Sequence, residues 1–189
     1  MRKSKQEAAA TRQRIITAAA AAFRKNGIAE TGLSDLMAGA GLTHGGFYRH
    51  FDSKDQIVAE ACTVAAEALV EQLAAAAAKK PRRGLKTIVE NYLSVAHRNE
   101  PEDGCPLSAL GSEIARADEK TRAAATQAFL RLVGVIGAQF GKAPPHVARR
   151  RALVAATTMI GALTMSRIVT DSELSAGILR EAKKQLVNS

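Results

Sequence analysis

A chain of 189 residues allows one large domain, or a small one joined to a larger one, and a 47% apolar content supplies a core. Aromatics make up only 4%, Trp is absent and alanine dominates the apolar count, while no segment alternates β-branched residues, so an all-α chain is expected. The net charge of +9 favours a polyanionic partner, and the excess is denser in residues 1–54, which carry nine Lys/Arg against four Asp/Glu.

No uninterrupted apolar run nears ~18 residues, so no membrane-crossing helix is expected. Basic Met1 to Lys5 is followed by polar Gln6-Glu7 and a long helix, unlike a signal peptide. Two cysteines, Cys62 and Cys105, are too few for a disulfide framework, which points to a reducing cytoplasm.

In chain order, residues 1–8 are expected as a frayed basic arm, with a minor-groove or phosphate contact as the alternative to a disordered terminus. Thr11 to Asn26 carries Ile15, Ile16, Ala19, Ala22 and Phe23 at helical spacing, and Gly27 closes it. Leu33 to Ala40 reads as a short helix stopped by Gly41. Thr43 then caps a second short helix, Thr43 to Phe51. Helix, tight glycine turn and helix make a helix-turn-helix, whose second helix enters the major groove of DNA. Phe47 and Phe51, four residues apart, face inward. Gly45 and Arg49 lie opposite, flanked by Gly46 and Tyr48. Glycines cost helix stability, so their presence suggests close backbone approach to another body. Tyr48, Arg49, His50 and Lys54 all donate hydrogen bonds suited to phosphate oxygens. Ser53 to Gln56 reads as a capping box opening a long helix, Lys54 to about Ala78.

The run Gly45-x-x-Tyr48-x-x-Phe51-x-x-Lys54, with Phe23, Gly27, Ala40-Gly41-Leu42 and Ile57, resembles the DNA-binding domain of the TetR family of bacterial transcriptional regulators. The resemblance covers residues ~10 to 70. It implies phosphate contacts from Tyr48, His50 and Lys54, and base-edge contacts around Ser34 and from Thr43, His44, Gly45 and Gly46. Two positions depart from the pattern. Gly46 stands where the family usually has Thr, Ser or Ala. Gly32 stands where a Thr often starts the second helix, so that cap falls to Thr31 or is weaker.

Downstream, Lys79-Lys80-Pro81-Arg82-Arg83-Gly84 is a break read as a solvated basic turn in preference to a second DNA site. Further helices are expected at Leu85 to His97, Pro106 to Ala115, Lys120 to Phe140 and His146 to Val169. A ninth follows to Val187, opened by a Thr170–Glu173 capping box. The four histidines are scattered, and neither metal-ligand spacing nor a phosphate loop nor a nucleophile motif is present. No enzyme, metal or cofactor is therefore expected.

The resulting expectation is a helix-turn-helix head at residues 1–55 and a larger helical body at 56–189, about nine helices in all. The resemblance implies a regulator, usually a repressor, that binds a near-palindromic operator as a homodimer. It places an effector pocket in the body and the dimer contact in helices eight and nine. Tyr92, Cys105, Phe129 and Met159 are the large or polarizable side chains among many alanines and glycines. They are the candidates to line that pocket, with a neutral or weakly polar effector; the alternative is that they fill a solid core. A constitutive dimeric DNA-binding protein without effector is the rival reading. A third is a thiol sensor through Cys105, placed at a loop-to-helix junction. Cys62, mid-helix, reads as packing.

Overall fold

The computed structural model describes residues 5–188. The regular elements among them are all helical, in the order α1 (Lys5–Asn26), α2 (Leu33–Gly39), a 3-10 helix (His44–Arg49) and α3 (Lys54–Ala78). Then come α4 (Gly84–Tyr92), α5 (Val95–Asn99), α6 (Pro106–Ile114), α7 (Glu119–Gly137), α8 (Pro145–Ile168) and α9 (Ser172–Asn188).

Several boundaries differ from the sequence reading. α1 begins at Lys5, so residues 5–8 are helical and the expected frayed arm does not extend through them. Residues 1–4 of that arm lie outside the described residues. The expected α-helix from Thr43 to Phe51 is instead six residues of 3-10 helix. Two adjacent glycines and so short a length give little for an α-helix to propagate from. The expected helix from Leu85 to His97 breaks after Tyr92, because Ser94 starts a new one by accepting the His97 amide at 3.1 Å. At the last helix Asp171, not Thr170, is the cap: its carboxylate accepts the Leu174 amide at 2.6 Å.

α3 is the axis of the molecule. It packs along α7 on one side and α1 on another, while α8 pairs with α7 and α9, and α4 bridges α3 and α9. The contacting faces are rich in alanine: Ala61, Ala65, Ala66 and Ala77 of α3, and Ala125 and Ala128 of α7, are buried. Small side chains let helix axes approach to the short end of the usual range, so the helices close on each other. Alanine also makes Lys54–Ala78 and Glu119–Phe140 long and apolar enough, by composition, to cross a membrane, which corrects the expectation of no such stretch. Their mutual packing gives these helices an interior role in this fold.

Two hydrophobic clusters share α3. One joins α1, α2, the 3-10 helix and the first half of α3, with Leu110, Ile114 and Ala125 reaching in from α6 and α7. The other joins the second half of α3 with α4, α7, α8 and α9 around Ile88, Tyr92, Met159 and Leu163.

Candidate nucleic-acid interface

The turn before the 3-10 helix is built by local rules. Gly41 adopts φ +70°, the left-handed conformation that stops a helix. Its amide donates to Ala38 at 2.9 Å and the next amide, Leu42, to Met37 at 2.8 Å. This is the Schellman pattern, with Leu42 packed on the cluster that contains Met37. The Ala40 carbonyl, left over at the helix end, accepts from Arg14 Nη2 at 2.5 Å. Thr43 leads into the 3-10 helix in extended conformation, but its side chain makes no capping bond.

Phe47 and Phe51 point inward, 0% and 2% exposed, with ring centroids 5.4 Å apart. Tyr48 is 69% exposed and stands edge-on to Phe47 at 5.3 Å. The inner aromatic thus holds the outer ring in place while its phenol reaches water. Thr43, His44, Gly45, Tyr48 and Arg49 form one exposed turn, and Ser34 is exposed on the first turn of α2, which packs against that turn.

The two glycines separate. A Cβ on Gly45 would meet nothing within 4 Å. A Cβ on Gly46 would meet Met37 Cε at 3.3 Å. Gly46 therefore faces α2, and the expectation that both glycines face outward holds only for Gly45. α2 packs against this turn, and its Met37 covers the side on which Gly46 lies. His50 is half-buried, its carbonyl accepting from Arg12 Nε at 3.2 Å. Lys54 is half-buried too, and its Nζ donates to the Ile28 carbonyl at 2.6 Å. Lys54 thus ties α3 to the α1–α2 connection, with two ammonium protons left for another acceptor.

Arg12 has no assigned role in the sequence reading. It forms two 2.6 Å bonds to the Glu60 carboxylate and lies over the Phe51 ring at 4.6 Å. With its bond to His50, it joins α1, the end of the 3-10 helix and α3. Glu60 raises the Arg12 pKa through that bond. Periodicity carries no signal of a contact between residues so far apart in sequence. At the start of α3, Ser53 accepts the Gln56 amide at 3.1 Å as expected. The Gln56 side chain accepts from the Asp52 amide at 2.7 Å, one residue beyond the Ser53 amide of the full box.

In the body, none of Tyr92, Cys105, Phe129 and Met159 lines the cleft described below. Tyr92, Cys105 and Met159 are 0%, 2% and 0% exposed within the second cluster, and Phe129 packs against its margin. This packing fits the alternative that they fill a solid core. Burial drives the Tyr92 phenol well above its ordinary pKa, and its hydroxyl, beside Cys105 and Ser108, completes no hydrogen bond. His97 bridges backbone to backbone: Nδ1 lies 2.6 Å from the Tyr92 carbonyl and Nε2 2.8 Å from the Cys105 amide. The amide must donate, so Nε2 accepts and the proton sits on Nδ1. Burial, with the Arg167 and Arg24 guanidiniums nearby, pushes the imidazole down to about 4, against the Tyr92 bond that favours its charged form. Gly104 has no side chain because a Cβ there would collide with the His97 ring. Cys105 is closed off from solvent, which removes the exposure a sensing thiol needs.

A cleft of about 350 Å³ does open in the body, at a different place. Leu69 and Leu73 of α3 lie on it with Asn91, Ser94, His97 and Glu100. Beyond it Arg24 of α1 donates through Nε to the Glu102 carbonyl at 2.8 Å, linking the first helix to the α5–α6 connection. Among the described residues, no cluster of three or more His, Cys, Asp or Glu is placed to hold a metal.

Two family models match. Residues 15–61 match "Bacterial regulatory proteins, tetR family", and residues 81–185 match "Transcriptional regulator LmrA/YxaF-like, C-terminal domain". The HTH-type transcriptional regulator TtgR of Pseudomonas putida is 47% identical over 58 residues, 31% of this chain and 28% of TtgR. The alignment thus spans little more than a quarter of that relative. The HTH-type transcriptional regulator Rv0196 of Mycobacterium tuberculosis is 26% identical over 171 residues, 85% of this chain and 86% of its own. A TetR regulator from Chloroflexus aurantiacus superposes with a TM-score of 0.78 at 27% identity, covering 97% of this chain and 95% of that one. With a matching helix-turn-helix, a matching body and the same fold end to end, the chain belongs to the TetR family of bacterial transcriptional regulators.

Proposed function

We propose that this protein is a repressor that binds a near-palindromic operator as a homodimer. Residues 1–55 serve as the reading head and residues 56–189 as the body. The observation that carries this reading is the exposed turn Thr43–Arg49, polar outward and anchored inward by Phe47. Thr43, His44 and the bare backbone of Gly45 approach base edges. Tyr48, Arg49, His50 and Lys54 hold phosphates, and Ser34 adds a contact from α2.

A seam on α8 supports the dimer. Val154, Met165 and Ile168 are 58%, 46% and 63% exposed, and Leu174 at the start of α9 is 54% exposed. Gly161 lies between them, with open space where its Cβ would be. Val154, Gly161, Met165 and Ile168 fall on one stripe of the helix, the arrangement of a helix that packs on a partner. Two copies paired through α8 and α9 would cover this apolar surface and present two heads to one duplex.

Release by a small effector is the regulatory half of the proposal. The cleft beside Leu69 and His97 is its supporting feature, in place of the filled core around Tyr92. That filled core favours a second reading, a constitutive dimeric DNA-binding protein whose body serves only to dimerise.

Selection of bound duplexes from a random pool tests the proposal. The expected product is a near-palindrome with half-sites about 10 bp apart or a multiple of that. Tyr48→Phe is expected to weaken specific and nonspecific binding alike, because a phosphate contact positions without specifying. Paired Met165→Glu and Ile168→Glu changes are expected to give monomers that lose operator affinity. No enriched sequence, or a monomer with full affinity, defeats the reading. Effector screening on the operator complex then separates release from constitutive binding.

A further inference from the structure

The turn after α3 carries Lys79, Lys80, Arg82 and Arg83, all exposed. From sequence alone it reads as a solvated turn. The fold brings a second basic run beside it. Gly84, which ends the first run, packs on Gln139 so closely that a Cβ would collide with the Gln139 amide oxygen. The next residue, Phe140, lies under the Arg151 guanidinium, 4.5 Å from the ring centroid. Lys142, Arg149 and Arg150, neighbours of these residues in the chain, are exposed. Residues 79–84 and 141–151 together hold eight Lys/Arg and no Asp or Glu.

This pole is remote from the reading turn. α3 starts at Lys54, beside the 3-10 helix, and runs 25 residues to the basic turn, a distance of about 37 Å. The four cations of that turn form no ion pair among the described residues. Like charges gathered this densely repel one another, and a polyanion relieves that repulsion. Leaving aside Arg151, which covers Phe140, four of the remaining seven are arginines, whose forked donors match paired phosphate oxygens. No large apolar side chain is exposed within either run, so nothing there would insert among lipid chains.

We propose that this pole is a second, sequence-independent surface for a nucleic-acid backbone, so that one molecule holds a duplex segment at each end of α3. The proposal does not depend on operator recognition by the head.

A bridging assay tests it. Duplex on beads captures a second, fluorescent duplex through the protein at low salt. With K79Q/K80Q/R82Q/R83Q, capture is expected to fall by about tenfold or more, and its salt slope by about 3–4 for four lost phosphate contacts. Affinity for a single operator duplex is expected to stay within about twofold, since the head is untouched. R149Q/R150Q, on the other run, is expected to reduce capture in the same way. A head variant, Tyr48→Ala with Arg49→Ala, is expected to lose most of its affinity for operator duplex at the head and still bind nonspecific duplex through the pole. Failure of the head reading is therefore visible separately. Capture by the fourfold variant equal to wild type, as two heads of a dimer would give, overturns the proposal. So does flotation of wild type, but not the fourfold variant, with phosphatidylglycerol vesicles in the absence of duplex bridging. That result assigns the pole to a membrane.

Discussion

Arg12 holds the Glu60 carboxylate by two parallel bonds of 2.6 Å while its Nε donates to the His50 carbonyl at 3.2 Å. One side chain of α1 therefore fixes the end of the reading turn against α3. Arg12→Gln is expected to lower stability. Each side chain is about a third exposed, 34% and 31%, so screening by water holds the pair itself to about 1 kcal/mol. Operator affinity is expected to fall more for Arg12→Gln than for Glu60→Gln, because only Arg12 bonds the His50 carbonyl. Urea melts of both singles and the double give the coupling directly. A coupling near zero, with equal DNA affinities, would remove Arg12 from the role of positioning the turn.

Gly45 and Gly46 are expected to respond oppositely to alanine. Open space surrounds the missing Cβ of Gly45, so Gly45→Ala is expected to stabilise the head by about 0.4–1 kcal/mol. On the proposed reading face, the same methyl is expected to weaken operator binding. At Gly46 the methyl meets the flexible end of Met37, which must give by a few tenths of an ångström. Gly46→Ala is expected to cost little stability and to leave phosphate contacts alone. Thermal melts and duplex titrations separate the two. If Gly46→Ala impairs DNA binding and Gly45→Ala does not, the face is assigned the wrong way round.

The pinned neutral imidazole of His97 predicts acid sensitivity. Its folded pKa, about 4, lies below the ordinary 6.5. Below pH 6.5 the unfolded chain binds more protons than the folded one. Stability from this group is thus fully present above about pH 6.5 and is lost as pH falls toward about 4. The whole span amounts to roughly 3 kcal/mol. His97→Gln is expected to be less stable at neutral pH, since the Tyr92 and Cys105 bonds are disturbed, but to lose stability less steeply on acidification. Parallel slopes for wild type and variant between pH 6.5 and 4 would contradict the assignment.

Cys62 and Cys105 are 3% and 2% exposed, and burial pushes the Cys62 thiol up to about 11. Both are expected to resist alkylation in the folded protein and to react together as urea opens it. Fast modification of Cys105 alone, with loss of DNA binding, would restore the thiol-sensing reading.

The order of helices, the glycine stop at Gly41 and the inward pair Phe47 and Phe51 were legible in the sequence. Each depends on neighbours within a few residues: a cap, a left-handed glycine or a four-residue spacing. The family pattern from Gly45 to Lys54 is local for the same reason. Tertiary structure decided the rest, because it depends on which distant segments meet. Met37 took the space beside Gly46, and the Ile28 carbonyl accepts one hydrogen bond from Lys54. Arg12 found Glu60 across the chain. Tyr92, Cys105 and Met159, drawn from α4, the α5–α6 connection and α8, came together in one buried cluster. Two basic runs, each an ordinary turn or helix start alone, became one surface through the contact of Gly84 with Gln139. Local rules write elements into the sequence; the pairing of their faces is set by packing among all of them at once.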